Sequence, residues 1–187
     1  MNSEEKNIST PEANGNDQST VKSEPQTEYY FAVSLTKLLL MSLCTGGVYE
    51  IFWFYKNWEI VRQREKIKIM PVWRSLFAYF FCYALFRRIS YSEKVILTKN
   101  TFTPGALTIG WVLLTFSWKL PGAYWLLANL AVLFILPAQI AVNEINSKVA
   151  PDHNKNDTYS FWNVLIIALG GLILILSVGG AFLGPGH

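Results

Sequence analysis

Apolar residues fall into five long runs separated by polar and charged stretches. The last run, Phe161 to Leu183, carries no charged side chain over roughly 20 residues, the length of a helix that crosses a bilayer. In hydrocarbon such a backbone satisfies its polar groups within its own helix. Gly170, Gly171, Gly179 and Gly180 are therefore read as packing positions and not as turns. Four earlier runs occupy 31–55, 73–89, 104–119 and 122–146. Before them, residues 1–28 are Asn, Ser, Thr, Glu, Pro and Gln with almost no large apolar side chain, which predicts a disordered polar tail. The pattern predicts an all-α, polytopic helical membrane protein, with 29–187 as its membrane domain.

Within this scheme the first run ends in Trp53, Tyr55 and Trp58, residue types that settle at a membrane–water boundary. Thr45-Gly46-Gly47 either kinks that helix or splits it in two. Pro71 suits the first turn of the second element. Arg74, Arg87 and Arg88 bracket its apolar part, which spans if they snorkel outward and is re-entrant if they do not. Pro121-Gly122 predicts a tight turn joining two antiparallel helices, and Pro137 is expected inside a continuous fourth helix.

At 100° per residue, Asn129, Gln139, Asn143 and Asn146 share one arc of the fourth segment. A polar arc must face protein or water, so it either forms hydrogen bonds between helices or lines a cavity for a polar substrate or ion. On the last helix Asn163, Gly170, Ser177 and Ala181 form a small-residue groove whose natural partner is the Asn-bearing helix. Glu50 is the one carboxylate expected within the hydrocarbon, with Lys56, Arg74 or Arg87 as its expected partner.

Composition adds compartment and charge. The chain is 51% hydrophobic and 16% charged, more apolar surface than a soluble domain of 187 residues can bury. The net charge of +3 gives no reason to expect a nucleic-acid partner, because the surplus sits between apolar runs. It is densest at Lys56, Arg62, Arg64, Lys66, Lys68 and Arg74, a loop expected to lie inside and to touch anionic headgroups. That places the tail outside and, if all five segments span, the C-terminus inside. Cys44 and Cys82 lie within apolar runs and are read as free thiols. No basic stretch leads at once into a short apolar core and a cleavage site, so the first spanning helix is expected to do the targeting.

Catalytic patterns are missing. His153 and His187 have no ligand partners at metal spacing, and there is no phosphate loop, nucleophile elbow or His-Glu-x-x-His. No cofactor is expected. Asn156-Asp157-Thr158 matches a glycosylation acceptor, a short pattern that matters only in a secretory pathway.

Ser34, Lys37, Thr45-Gly46-Gly47-Val48-Tyr49 and Trp53-Phe54-Tyr55-Lys56-Asn57-Trp58 resemble the first segment of a family of small multi-pass bacterial inner-membrane proteins without an assigned function. The likeness extends through Pro71-Val72-Trp73-Arg74, Leu85-Phe86-Arg87-Arg88-Ile89, Leu120-Pro121, Asn143 with Asn146, and Phe161-Trp162-Asn163. Gly46 departs from it, where the family has a bulky residue between the Thr and the Gly. The resemblance implies a bacterial cytoplasmic membrane and an all-helical fold, and supplies no reaction. The expected role is a non-catalytic accessory or interaction subunit with a membrane-protein partner or a second copy of itself. The alternatives are a small transporter using the polar arc and Glu50, and an intramembrane lipid-modifying enzyme using Glu50 or His153.

Overall fold

The computed structural model describes residues 28–183, and every regular element among them is helical. Nearly all of the predicted tail lies outside the described residues. The elements are α1 (Leu35–Cys44), α2 (Val48–Glu65), α3 (Pro71–Leu76), α4 (Ala78–Leu97) and α5 (Pro104–Phe116). A short 3₁₀ turn (Ser117–Lys119) and a long 3₁₀ stretch (Gly122–Phe134) lead into α6 (Leu136–Val149), and α7 (Phe161–Leu183) closes the fold. Two helical stretches, Ala123–Val149 and Phe161–Gly180, are long and apolar enough to cross a membrane.

The first predicted segment is split, not kinked. Gly46 and Gly47 hold φ of 58° and 89°, left-handed values that glycine adopts without a Cβ clash. The Thr45 hydroxyl donates to the Met41 carbonyl at 2.7 Å and accepts from the Tyr49 N–H at 3.0 Å, so one side chain closes α1 and caps α2. The second segment breaks at Phe77 into α3 and α4, and α4 runs beyond residue 89 to Leu97. The fourth changes from 3₁₀ to α geometry at Ile135, which puts Pro137 in the first turn of α6, where its missing N–H leaves no gap.

These elements form three helical hairpins: α1 with α2, α3 with α4, and α5 with the 3₁₀–α6 stretch. Their open ends lie together. Arg64 donates to the Tyr29 carbonyl, Arg88 pairs with Glu65, and the Tyr30 hydroxyl meets Ser92 at 3.0 Å. Lys99 pairs with Glu144 at 2.7 Å, and Lys148 donates to the Ile96 carbonyl at 2.8 Å. Their tips converge at the other end, where Gly46, Gly47, Ala78, Tyr79, Thr115 and Trp118 surround one cavity. Segments that each crossed from end to end would hold Tyr29 and Arg64 apart by the length of the first. Instead the Arg64 guanidinium lies 3.8 Å from the centroid of the Tyr29 ring. The aromatic core between the two ends holds Trp53, Phe54, Trp58 and Phe86, all fully buried.

α7 packs against α1. The chain leading into α7 is tied to α1 by Lys37, whose Nζ donates to Asn156 Oδ1 and to the Thr158 carbonyl, both at 2.8 Å.

Candidate functional site

The polar arc of the fourth segment finds its partner in residues 28–34, a non-helical strap that precedes α1. Tyr30, Ala32 and Val33 are fully buried in it, with no helix or sheet to satisfy their peptides. Side chains do so instead. Asn146 Oδ1 accepts from the N–H groups of Tyr29 and Tyr30 at 2.8 and 3.0 Å, while its Nδ2 donates to the Tyr30 carbonyl at 2.7 Å. Asn57 Oδ1 accepts from the Phe31 N–H at 3.2 Å. Gln139 Nε2 donates to the Phe31 and Val33 carbonyls at 3.3 and 3.2 Å, and Asn143 Nδ2 donates to the Val33 carbonyl at 3.0 Å. The indole N–H of Trp53 fixes Gln139 by donating to its Oε1. At the start of the strap the Glu28 carboxylate accepts from the Ala32 N–H at 3.0 Å, and burial pushes its pKa above the ordinary range.

The arc thus serves mainly a buried backbone, while Gln139 also accepts a bond between helices from Trp53 of α2 and Asn143 also faces a cavity. Asn129 stands apart from it, its Nδ2 donating at 3.3 Å to Leu126 of its own 3₁₀ stretch. Sequence reasoning missed Asn57 and the strap. The available signal was Ser34, whose Oγ accepts from the Lys37 N–H at 3.3 Å as a helix N-cap and so leaves apolar Tyr30–Val33 outside any helix.

α7 packs chiefly on α1 and also touches the 3₁₀ stretch of the Asn-bearing fourth segment, whereas Gln139, Asn143 and Asn146 are met by the strap. Asn163, Gly170 and Ser177 are half-buried on the side of α7 turned to the fold, and Gly170 meets α1. A Cβ built on Gly170 would lie 1.8 Å from the Cys44 carbonyl oxygen, so backbone contact there requires glycine. The Ala181 side chain lies outside the described residues.

Glu50 is 3% exposed, and its partner is Trp111, which was not among the expected residues. The Trp111 indole N–H donates to Glu50 Oε2 at 2.6 Å, and Oε1 has no partner. Of the basic residues expected near it, Lys56 pairs with Glu59 at 3.2 Å and Arg74 stacks 4.5 Å from the Trp58 ring. Arg87 lines a different cleft.

That cleft, of about 560 Å³ at the open end of the hairpins, is lined by Tyr29, Arg64, Arg87, Arg88 and Tyr91 with Glu65 among them. Arg62, Lys66 and Lys68 are exposed around α2's end. The region read as a loop is therefore mostly helix, with Arg62 and Arg64 in the last turn of α2 and Arg74 in that of α3. Lys99, nearby, has its pKa raised by its hydrogen bond to Glu144.

His153 is buried, and its Nδ1 sits 2.6 Å from the Ala150 carbonyl, which can only accept, so that nitrogen carries the hydrogen. It lines a cavity with Ser34, Asn143 and Asp157, separate from the one that Glu50 lines. No three His, Cys, Asp or Glu side chains among the described residues converge as a metal site.

Fold and geometry define an all-helical protein with two helices able by length and composition to cross a membrane, and with its titratable groups dispersed. The chain matches no protein-family model, no curated protein and no solved structure.

Proposed function

We propose that this chain is a multi-pass protein of a bacterial cytoplasmic membrane that acts without catalysis, as an accessory subunit docking a partner along α7. The observation that carries the reading is the surface of α7: none of the Phe161–Gly180 stretch is buried, although mean hydropathy there reaches 2.4. Only the stripe through Asn163, Gly170 and Ser177 turns to the rest of the fold. Leu165, Leu169, Leu172, Ile173 and Leu176 are exposed and free for lipid or for another helix. Val72, Phe77 and Phe80 continue an apolar exterior around the hairpins.

In this reading the charged end of the hairpins faces the cytoplasm. Among the described residues it holds Arg62, Arg64, Lys66, Lys68, Arg87, Arg88, Lys94, Lys99 and Lys148, and the tips carry Lys119. The basic cleft then meets anionic headgroups. The strap shares that side, so the tail is cytoplasmic and α7 carries the chain across. This reverses the sidedness that five alternating spans give.

A transporter with a polar path along the fourth segment has less support, because Gln139, Asn143 and Asn146 are engaged by the strap. A lipid-modifying enzyme has less support because Glu50 and His153 line separate cavities. The test is affinity purification in mild detergent of the full chain beside a variant with Leu169, Leu172 and Leu176 changed to Ala. A partner recovered with the first and lost with the second is expected. No reproducible partner in either overturns the reading.

A further inference from the structure

The cavity where the three hairpin tips meet combines features that neither the strap clamp nor the α7 surface uses. It encloses about 230 Å³ and is lined by Gly46, Gly47, Glu50, Tyr79, Trp111, Thr115 and Trp118 among others. Glu50 Oε1 is buried and without a partner, and it lies 4.0 Å from the point a Cβ on Gly47 would occupy, on the cavity wall. A buried carboxylate oxygen left unbonded is strongly unfavourable unless a proton or a ligand completes its shell. No cationic side chain among the described residues does so. None of the ion pairs among the described residues includes Glu50, and Lys119, the basic residue at this end, holds its Nζ 5.4 Å from the Phe116 ring and 5.5 Å from the Trp118 ring.

The walls narrow the occupant. Ca²⁺ or Mg²⁺ takes about six or more oxygen ligands, and here the side-chain oxygens beside Glu50 are the Ser75 and Thr115 hydroxyls and the Tyr79 phenol. The first two already donate to backbone carbonyls, at 2.8 and 2.7 Å. Aromatic surface dominates instead. Tyr79, Trp111 and Trp118 line the cavity, Tyr79 and Trp111 stand 5.6 Å apart by ring centroid, and aromatic faces attract an organic cation. The volume falls below the roughly 300 Å³ at which pockets for drug-sized ligands begin, so only a few heavy atoms fit.

We propose that this cavity binds a primary ammonium group, with Glu50 Oε1 accepting its N–H bonds and Tyr79, Trp111 and Trp118 flanking its charge. The ammonium belongs either to a small free amine or to the headgroup of an aminophospholipid. Its binding ties the turn at Gly46-Gly47, the α3–α4 break and the third hairpin together around one carboxylate. The site stands on the cavity alone and is independent of any partner on α7.

Two arms test it on the full chain in detergent. In the first, ethanolammonium is titrated by calorimetry. Saturable binding is expected, weaker by about tenfold or more with tetramethylammonium, which has no N–H, and with Glu50→Gln, which removes the charge. Ala128→Leu, at another residue lining the cavity, is expected to abolish binding and guards against misfolding of the Gln variant. In the second, native mass spectrometry follows retained phosphatidylethanolamine and phosphatidylcholine. Selective retention of the former, lost in both variants, assigns the lipid source, whereas saturation by ethanolammonium without such retention assigns the free amine. Absence of both signals in the unaltered protein, or signals that persist unchanged in both variants, overturns the proposal.

Discussion

Asn146 does the work of a neighbouring β-strand in a protein that has none among its described residues. Its amide meets the Tyr30 peptide on both the donor and the acceptor side, so Asn146→Ala leaves the N–H groups of Tyr29 and Tyr30 and the Tyr30 C=O unbonded, with Tyr30 fully buried. Each orphaned group costs about 1–3 kcal/mol, and the melting temperature in detergent is expected to fall by several degrees. Asn129→Ala removes only a bond within its own 3₁₀ stretch and is expected to shift melting little. Equal shifts for the two would mean that the strap is not held as described. Helical periodicity put Gln139, Asn143 and Asn146 on one face, and all three bond the strap. It also included Asn129, because angle alone does not register a change of helix type between residues 129 and 139. The other side of the network was illegible: Tyr30–Val33 is four apolar residues outside any helix, too short to carry a period of its own.

Two elements rest on glycine for different reasons. At Gly47 the reason is backbone conformation, φ 89°, so Gly47→Ala strains the α1–α2 turn by roughly 1–2 kcal/mol although no atom blocks the methyl group short of 4.0 Å. Gly105→Ala, in the first turn of α5 with open space around it, is the contrasting change and is expected to leave melting unaltered or raise it. At Gly170 the reason is contact. A side chain there would enter the Cys44 carbonyl, and Gly170→Val is expected to lift α7 off α1 and to speed labelling of the Cys44 thiol by a maleimide. Gly180→Val, with nothing within 4 Å, is expected to leave that rate as it is. The sequence marked both glycine pairs and, in the last helix, the side that packs. The partner was out of reach because a stripe of small residues states that a helix comes close and not which one. The Thr45 hydroxyl, closing one helix and opening the next, was likewise invisible to a hydropathy window, which sees only an unbroken apolar run from 31 to 55.

At the scale of the molecule, hydropathy measures how long an apolar stretch is and cannot tell a helix that crosses from one that turns back. Five alternating spans put Arg87, Arg88, Lys94 and Lys99 on the side opposite Arg64, against the preference of basic residues for the cytoplasm. Hairpins that return to their starting end remove the conflict, since Arg88 then reaches Glu65 and Lys99 reaches Glu144 at a single charged pole. The length of α1 agrees: 10 residues rise about 15 Å, half the hydrocarbon thickness, before the chain reverses at Gly46-Gly47. Sidedness therefore separates the two arrangements. In a background with Cys44 and Cys82 replaced by Ala, single cysteines at Lys68, Lys99 and Lys155 are expected to react with an impermeant maleimide in inside-out vesicles and to stay unlabelled in right-side-out ones. Labelling of position 68 from one side and of positions 99 and 155 from the other would restore the five-span alternation. It would also separate Tyr29 from Arg64, and with them the strap from the asparagines that hold it.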